Sequence, residues 1–203
     1  MSNEQSLDKE RRNALVATGV VGGVGALCTA WPFVNTFAPS ERAKAAGGPV
    51  EVDISAIKEG EMIVAEWQGK PVWILKRSPE MMSALKQSVD MLVDPDSKRM
   101  PEPNWTPAYC QNEFRAREDH KDVFVCVGIC THLGCSPQGP FGVGANPALL
   151  NDEGFVCPCH GSVFDLAGRV WKNKPAPDNL RVPPYKFTTP TKLLIGDDGT
   201  KGA

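Results

Sequence analysis

Two short segments constrain this chain more than anything else in it: Cys130-Thr-His132-Leu-Gly-Cys135 and Cys157-Pro-Cys159-His160-Gly-Ser162. Each sets a cysteine just ahead of a histidine, C-x-H in the first and C-x2-H in the second, with 24 residues between His132 and Cys157. Two thiolates and two imidazoles form a ligand set for one metal centre. Cys130 and Cys157 are expected to hold one iron of a single [2Fe–2S] cluster, and His132 and His160 the other. Replacing two anionic thiolates by neutral imidazoles lifts the reduction potential into roughly the −150 to +300 mV range. Each imidazole binds through one ring nitrogen and leaves the other free to carry a proton. Oxidised iron acidifies that imidazole, so electron gain favours proton gain. A tetrahedral zinc site uses the same four donors. Zinc spacings run C-x2–4-C and H-x3–5-H, however, and leave Cys135 and Cys159 without a role.

The two boxes resemble those of the Rieske iron–sulfur proteins, and the pairing of CTHLGC with CPCHGS resembles the cytochrome bc1 type in particular. The resemblance covers nearly the whole chain. It implies an electron-transfer subunit of a ubiquinol–cytochrome c reductase that takes an electron from ubiquinol at cytochrome b and passes it to cytochrome c1, within a dimeric complex. By the same resemblance His160 is the ligand facing the quinol, Leu133 shapes the docking tip, and Ser162 donates a hydrogen bond to a cluster sulfur. Such a donor stabilises the reduced cluster and raises its potential. The resemblance also implies a Cys135–Cys159 disulfide clamping the two loops, which needs an oxidising compartment; two free thiols are the alternative. The sequence departs from the family twice. Phe164 stands where many relatives carry a tyrosine that hydrogen-bonds a ligand sulfur. Lys174-Pro-Ala-Pro177 resembles the proline loop usually written G-P-A-P, with Lys in place of the Gly.

The N-terminus bears on location. No charge occurs from Asn13 through Ser40, and Lys9, Arg11 and Arg12 precede that stretch. As helix, residues 13–37 reach about 37 Å, enough to cross a hydrocarbon core of about 30 Å. Pro32 is expected to kink or end the helix near the far interface, with Trp31 and Phe33 as anchors. Arg11-Arg12-Asn-Ala-Leu15 resembles a twin-arginine signal, the export route for a head folded around its cluster before crossing. The expected location is a bacterial inner membrane, with residues 1–12 cytoplasmic and the head periplasmic. Ala43-Lys-Ala45 offers an A-x-A-like cleavage site. The length of the uncharged run and the four-residue spacing of Gly19/Gly23 and Gly22/Ala26 favour a retained anchor. Residues 38–49 read as a Gly- and Ala-rich flexible tether.

Residues 50–203 form the expected head, an all-β fold of antiparallel sheets with one helix and a cluster-binding subdomain over about 122–182. Strands are expected at Val50–Ile54, Met62–Trp67, Pro71–Arg77 (a hairpin around Gln68-Gly69), Val123–Ile129, Phe155–Cys157, Val163–Asp165, Arg169–Trp171, Tyr185–Phe187 and Lys192–Ile195. Ser78-Pro79-Glu80 starts a helix whose core face is expected at Met81, Met82, Leu85, Val89 and Leu92. Ser136–Gly154 reads as a loop. His120, among charged neighbours, reads as a solvated surface residue. Cys110 and Cys126 can form a second disulfide, or Cys126 is a buried thiol on its strand.

A net charge of −2 and the lack of a Lys/Arg block argue against nucleic acid as a partner. Three alternatives to a quinol–cytochrome c reductase subunit compete. One is the small Rieske subunit of an exported oxidase such as arsenite oxidase, which cleavage after Ala45 would favour. A second is a soluble Rieske ferredoxin, disfavoured because that group lacks the anchor and the equivalents of Cys135 and Cys159. The last is a zinc-stabilised binding module, which would give no EPR signal on reduction.

Overall fold

The computed structural model describes residues 2–40, 47–102 and 105–200, with side chains from residue 8 onward. The chain divides into two units, 1–45 and 46–203. The middle of the expected tether, residues 41–46, which includes the Ala43-Lys-Ala45 site, lies outside the described residues.

The N-terminal unit is one helix, α1 (Ser2–Asn35), which runs through Pro32 and ends three residues later. It therefore begins well before residue 13 and stops short of Phe37. Its segment Asp8–Asn35 is 28 residues long and apolar enough to cross a membrane, with none of that segment buried in protein. At 1.5 Å per residue it reaches about 42 Å, long enough to span a hydrocarbon core of about 30 Å. The hydroxyls of Thr18 and Thr29 donate to the carbonyls of Ala14 and Gly25, each at 2.8 Å. Both polar groups are thus satisfied within the helix, as a medium without water requires.

The second unit is built from three three-stranded antiparallel sheets, ordered β1-β9-β8, β2-β3-β4 and β5-β6-β7. The strands are β1 (Val50–Asp53), β2 (Met62–Trp67), β3 (Lys70–Lys76), β4 (Val123–Val127), β5 (Gln138–Phe141), β6 (Gly154–Val156), β7 (Val163–Asp165), β8 (Tyr185–Thr189) and β9 (Lys192–Ile195). The β2–β3 turn is Gln68-Gly69, and both residues have positive φ, which matches the right-handed strand twist in a two-residue hairpin.

The middle sheet explains why β3 and β4 read as continuous apolar runs. Side chains alternate across a strand, and here both faces are covered. Val72, Ile74, Val123 and Val125, with Trp67 at the end of β2, face a core shared with Ile54, Tyr185, Leu193 and Ile195 of the first sheet and its flank. Trp73, Leu75, Phe124 and Cys126 face a second core with Phe155, Phe164, Leu166, Cys130 and Cys157. The rings of Trp73 and Phe155 lie 4.9 Å apart and tie the middle sheet to the third. Gly128, just past β4, has no room for a side chain, because a Cβ there would fall 2.2 Å from the Trp73 indole.

Four expectations need correction. The helix after Ser78 is a short one, α2 (Pro79–Ala84), with Ser78 capping Met81 N–H as expected. It gives way to a 3-10 turn at Val89–Met91, so Val89 is exposed whereas Leu85 and Leu92 are buried. The segment between the boxes is no mere loop, since it supplies β5 and a 3-10 turn at Pro147–Leu149. Arg169–Trp171 makes only isolated bridges, Phe164 to Val170 and Leu92 to Trp171. His120 is half-buried, its ring stacked 3.7 Å from that of Phe187.

Cys110 and Cys126 are both free and buried. Burial pushes the Cys126 thiol up to about 12, against the pull of Arg115 and Arg77. It pushes Cys110 up to about 11, against a hydrogen bond with the Tyr185 hydroxyl.

Candidate metal centre

The two boxes fold into loops closed by the same pattern of backbone hydrogen bonds. In the first, Gly134 N–H donates to Cys130 O at 3.0 Å and Cys130 N–H to Cys135 O at 2.7 Å. In the second, Gly161 N–H donates to Cys157 O at 3.0 Å and Cys157 N–H to Ser162 O at 2.8 Å. Each loop therefore carries a cysteine at its start and, four residues on, a glycine with φ of +86° or +71°. Glycine is the residue that adopts this left-handed turn without steric cost. Strand β4 delivers the first loop, and the second bridges β6 and β7. Both loops thus rise from sheets that share one core.

The loops are covalently joined. Cys135 and Cys159 form a disulfide with an S–S distance of 2.06 Å, which closes the question of free thiols here. Cys130 and Cys157 lie beneath it, each 2% exposed and each a free thiol. The Cys130 thiol lies close to that of Cys157 and to the Ser162 hydroxyl, which is itself fully buried. Burial raises the Cys130 pKa; the His132 amide and the Ser162 hydroxyl oppose it. Three sulfurs, of Cys135, Cys157 and Cys159, lie within 4.8 Å of one another. Two of them are spent on the disulfide, so this trio is not a ligand set.

The rings of His132 and His160 stand 4.8 Å apart at 88° to each other. His132 Nδ1 is buried without a hydrogen-bond partner. A buried unpaired ring nitrogen is costly, and a metal bond would satisfy it. The donor set, two buried thiols and two adjacent imidazoles of which one has an orphan nitrogen, fits a [2Fe–2S] cluster of mixed ligation. His160 is exposed, and Leu133, next to His132 on the first loop, is 71% exposed.

A third segment, 174–178, is tied to both loops. Ala176 N–H donates to Ser162 Oγ at 3.0 Å, and Thr131 Oγ1 donates to Asp178 O at 2.6 Å. The left-handed residue ahead of this segment is Asn173, with φ of +56°. Lys174 is half-buried and needs no special conformation. The sequence reading passed over Thr131 and Ala176; a hydroxyl residue between two ligands was the one available sign of the former. Phe164 is fully buried in the core behind Cys130 and Cys157, opposite Phe155 in the β6–β7 register.

Comparison with known proteins agrees with this geometry. A Rieske [2Fe-2S] domain model matches residues 106–186, and a model described as "Ubiquitinol-cytochrome C reductase Fe-S subunit TAT signal" matches residues 1–40. Fold and site thus define an iron–sulfur protein of the Rieske class, holding a [2Fe–2S] cluster. A relative from Allochromatium vinosum, a ubiquinol-cytochrome c reductase iron-sulfur subunit, is 48% identical over 96% of this chain and 92% of its own. One of the same name from Bradyrhizobium diazoefficiens is 39% identical over 97% of this chain and 100% of its own. A solved chain of a hyperthermophilic respiratory Complex III is 28% identical over 88% of this chain and 97% of that chain, with a TM-score of 0.44. The chain belongs to the family of ubiquinol–cytochrome c reductase iron–sulfur subunits. Its twin-arginine signal and long apolar helix fit a membrane-anchored, exported member.

Proposed function

We propose that this protein is the electron-transfer subunit of a quinol–cytochrome c oxidoreductase in a bacterial inner membrane, with its head in the periplasm. The observation that carries the reading is the convergence of Cys130, Cys157, His132 and His160 on two clamped loops, with His160 left exposed. Family membership gives the reaction class. These four residues hold the cluster, which supplies a high-potential one-electron couple when bound.

The chain's own residues do the rest. His160 would hold the metal through one ring nitrogen; the other, on an exposed ring, would accept the hydrogen bond and then the proton of a quinol hydroxyl. Leu133, exposed on the neighbouring loop, gives the tip an apolar contact for the quinol pocket of cytochrome b. Cytochrome c1 then receives the electron. The disulfide keeps the two imidazoles in one orientation through this cycle, and Ser162 biases the site toward the reduced form through Cys130. The uncharged part of α1 from Asn13 to Asn35 remains as the anchor, the positive Lys9, Arg11 and Arg12 ahead of it staying on the cytoplasmic side.

Gentle detergent extraction of membranes carrying a tagged full chain tests the whole reading. Co-purification of b- and c-type haem with quinol-dependent cytochrome c reduction supports it, as does an intact N-terminus by mass spectrometry. A chain that purifies without haem partners, or begins after Ala45, overturns it.

A further inference from the structure

Three guanidiniums lie inside the head, those of Arg77, Arg115 and Arg169, each 1% exposed or less. Among the described residues one carboxylate is buried with them, that of Asp165. Arg169 Nε donates to Asp165 Oδ2 at 2.6 Å, so those two charges cancel. The other two arginines have only neutral acceptors. Arg115 donates from Nη1 to Ala167 O and Gly168 O at 2.9 and 3.1 Å, and from Nη2 to Thr106 Oγ1 at 3.0 Å and to Leu180 O. Arg77 donates to Phe114 O at 2.9 Å and to Lys121 O, and lies over the Phe124 ring at 5.5 Å. Burial pulls both guanidiniums down only to about 10, partly offset for each by the charge of Asp165, so both stay protonated at neutral pH. The head interior therefore carries two positive charges without buried counter-ions.

These charges are held by residues of the core that also contains Cys130 and Cys157. Ala167 and Leu180, whose carbonyls hold Arg115, belong to the same apolar core as Cys130 and Cys157, and so does Phe124 under Arg77. Gly168 lies in the turn after β7, the strand that leaves the second ligand loop. Cys126, whose thiol feels both arginines, precedes Cys130 by four residues, a chain reach of at most about 14 Å. Reduction adds one negative charge to the site. A positive charge fixed in a dry core stabilises that added charge, and salt screens it far less than it would a surface lysine.

We propose that Arg115, with Arg77, tunes the site electrostatically: the uncompensated buried charges hold the midpoint potential up and so set how readily the centre takes an electron. A purely structural role, cross-linking three chain segments through backbone oxygens, accounts for the hydrogen bonds of Arg115 but gives the charge no consequence. The two roles separate by measurement. The inference rests on Cys130, His132, Cys157 and His160 holding the cluster.

The test is a redox titration of the full-length, cluster-loaded chain, followed by EPR or circular dichroism at low and high salt. Arg115→Gln is expected to lower the midpoint, Arg115→Lys to leave it near that of the unmodified chain, and Asp165→Asn to raise it. The shifts should be equal at both salt concentrations. If Arg115→Gln does not take up the cluster, Arg77→Gln against Arg77→Lys decides by the same signs. Gln and Lys variants that load normally and share the unmodified midpoint overturn the tuning role alone. Absence of the reduced-cluster EPR signal from the unmodified chain overturns the ligand assignment with it.

Discussion

At the residue scale, Phe164 and Ser162 act on the same thiols from different sides. Phe164 packs against the core behind Cys130 and Cys157 and has no donor to offer them. Phe164→Tyr adds a hydroxyl whose hydrogen bond to a ligand sulfur stabilises the reduced state, so the midpoint potential should rise in a redox titration. An unchanged midpoint in a fully loaded variant would sink that account. Ser162→Ala does two things at once. It removes the hydroxyl beside Cys130, which should lower the midpoint, and it orphans the buried Ala176 N–H. Leaving a buried donor unpaired costs about 1–3 kcal/mol, which denaturant unfolding of the head would register. Cys110 and Cys126, raised to about 11 and 12 by burial, are protonated at neutral pH and should resist iodoacetamide until the head unfolds. Rapid alkylation of the native protein would show that these thiols are not enclosed.

Among the elements, the two ligand loops are only as rigid as the strands and links that hold them. Gly128 sets the exit of β4 into the first loop, where the Trp73 indole occupies the space of a side chain. Gly128→Ala should cost about 1–3 kcal/mol through overpacking and reduce cluster content in the visible spectrum, since the first loop must move with it. Ser78→Ala is the contrasting case. It removes the cap of α2, worth about 1 kcal/mol, yet should leave cluster content alone because α2 supplies no ligand. The clamp belongs to this scale as well. Replacing both Cys135 and Cys159 by Ser removes a cross-link spanning 24 residues, and such a loss typically costs about 2–4 kcal/mol. Cluster loss on prolonged dilution should quicken in that variant; equal retention would show that the loops hold their shape without the bond.

For the whole molecule, sequence and structure divide the work in a way the particular residues make plain. The sequence by itself determined the class of cofactor, the all-β head and the long apolar helix, and it singled out the four residues proposed here as donors. Each of these is written in local pattern: ligands a few residues apart, alternating strands, an uncharged run long enough for a bilayer. It also carried the β2–β3 hairpin, because Gln68-Gly69 sits between two alternating segments. Where pattern was short or composition was loop-like, it misled. The Gly- and Pro-rich stretch between the boxes hides β5, whose hydrogen bonds come from β6 rather than from any local periodicity. The helical spacing from Met81 to Leu92 runs over two different local structures, α2 and the 3-10 turn after it. Only the tertiary structure decided which cysteines pair, that His132 Nδ1 is left without a partner, and that Thr131 and Ala176 bind a third segment to both loops. It alone also shows that, among the described residues, two buried arginines donate only to neutral oxygens. These are long-range facts: they depend on which distant backbone oxygens and side chains the packing of three sheets brings within about 3 Å, the reach of a hydrogen bond, and no local stretch of sequence specifies that.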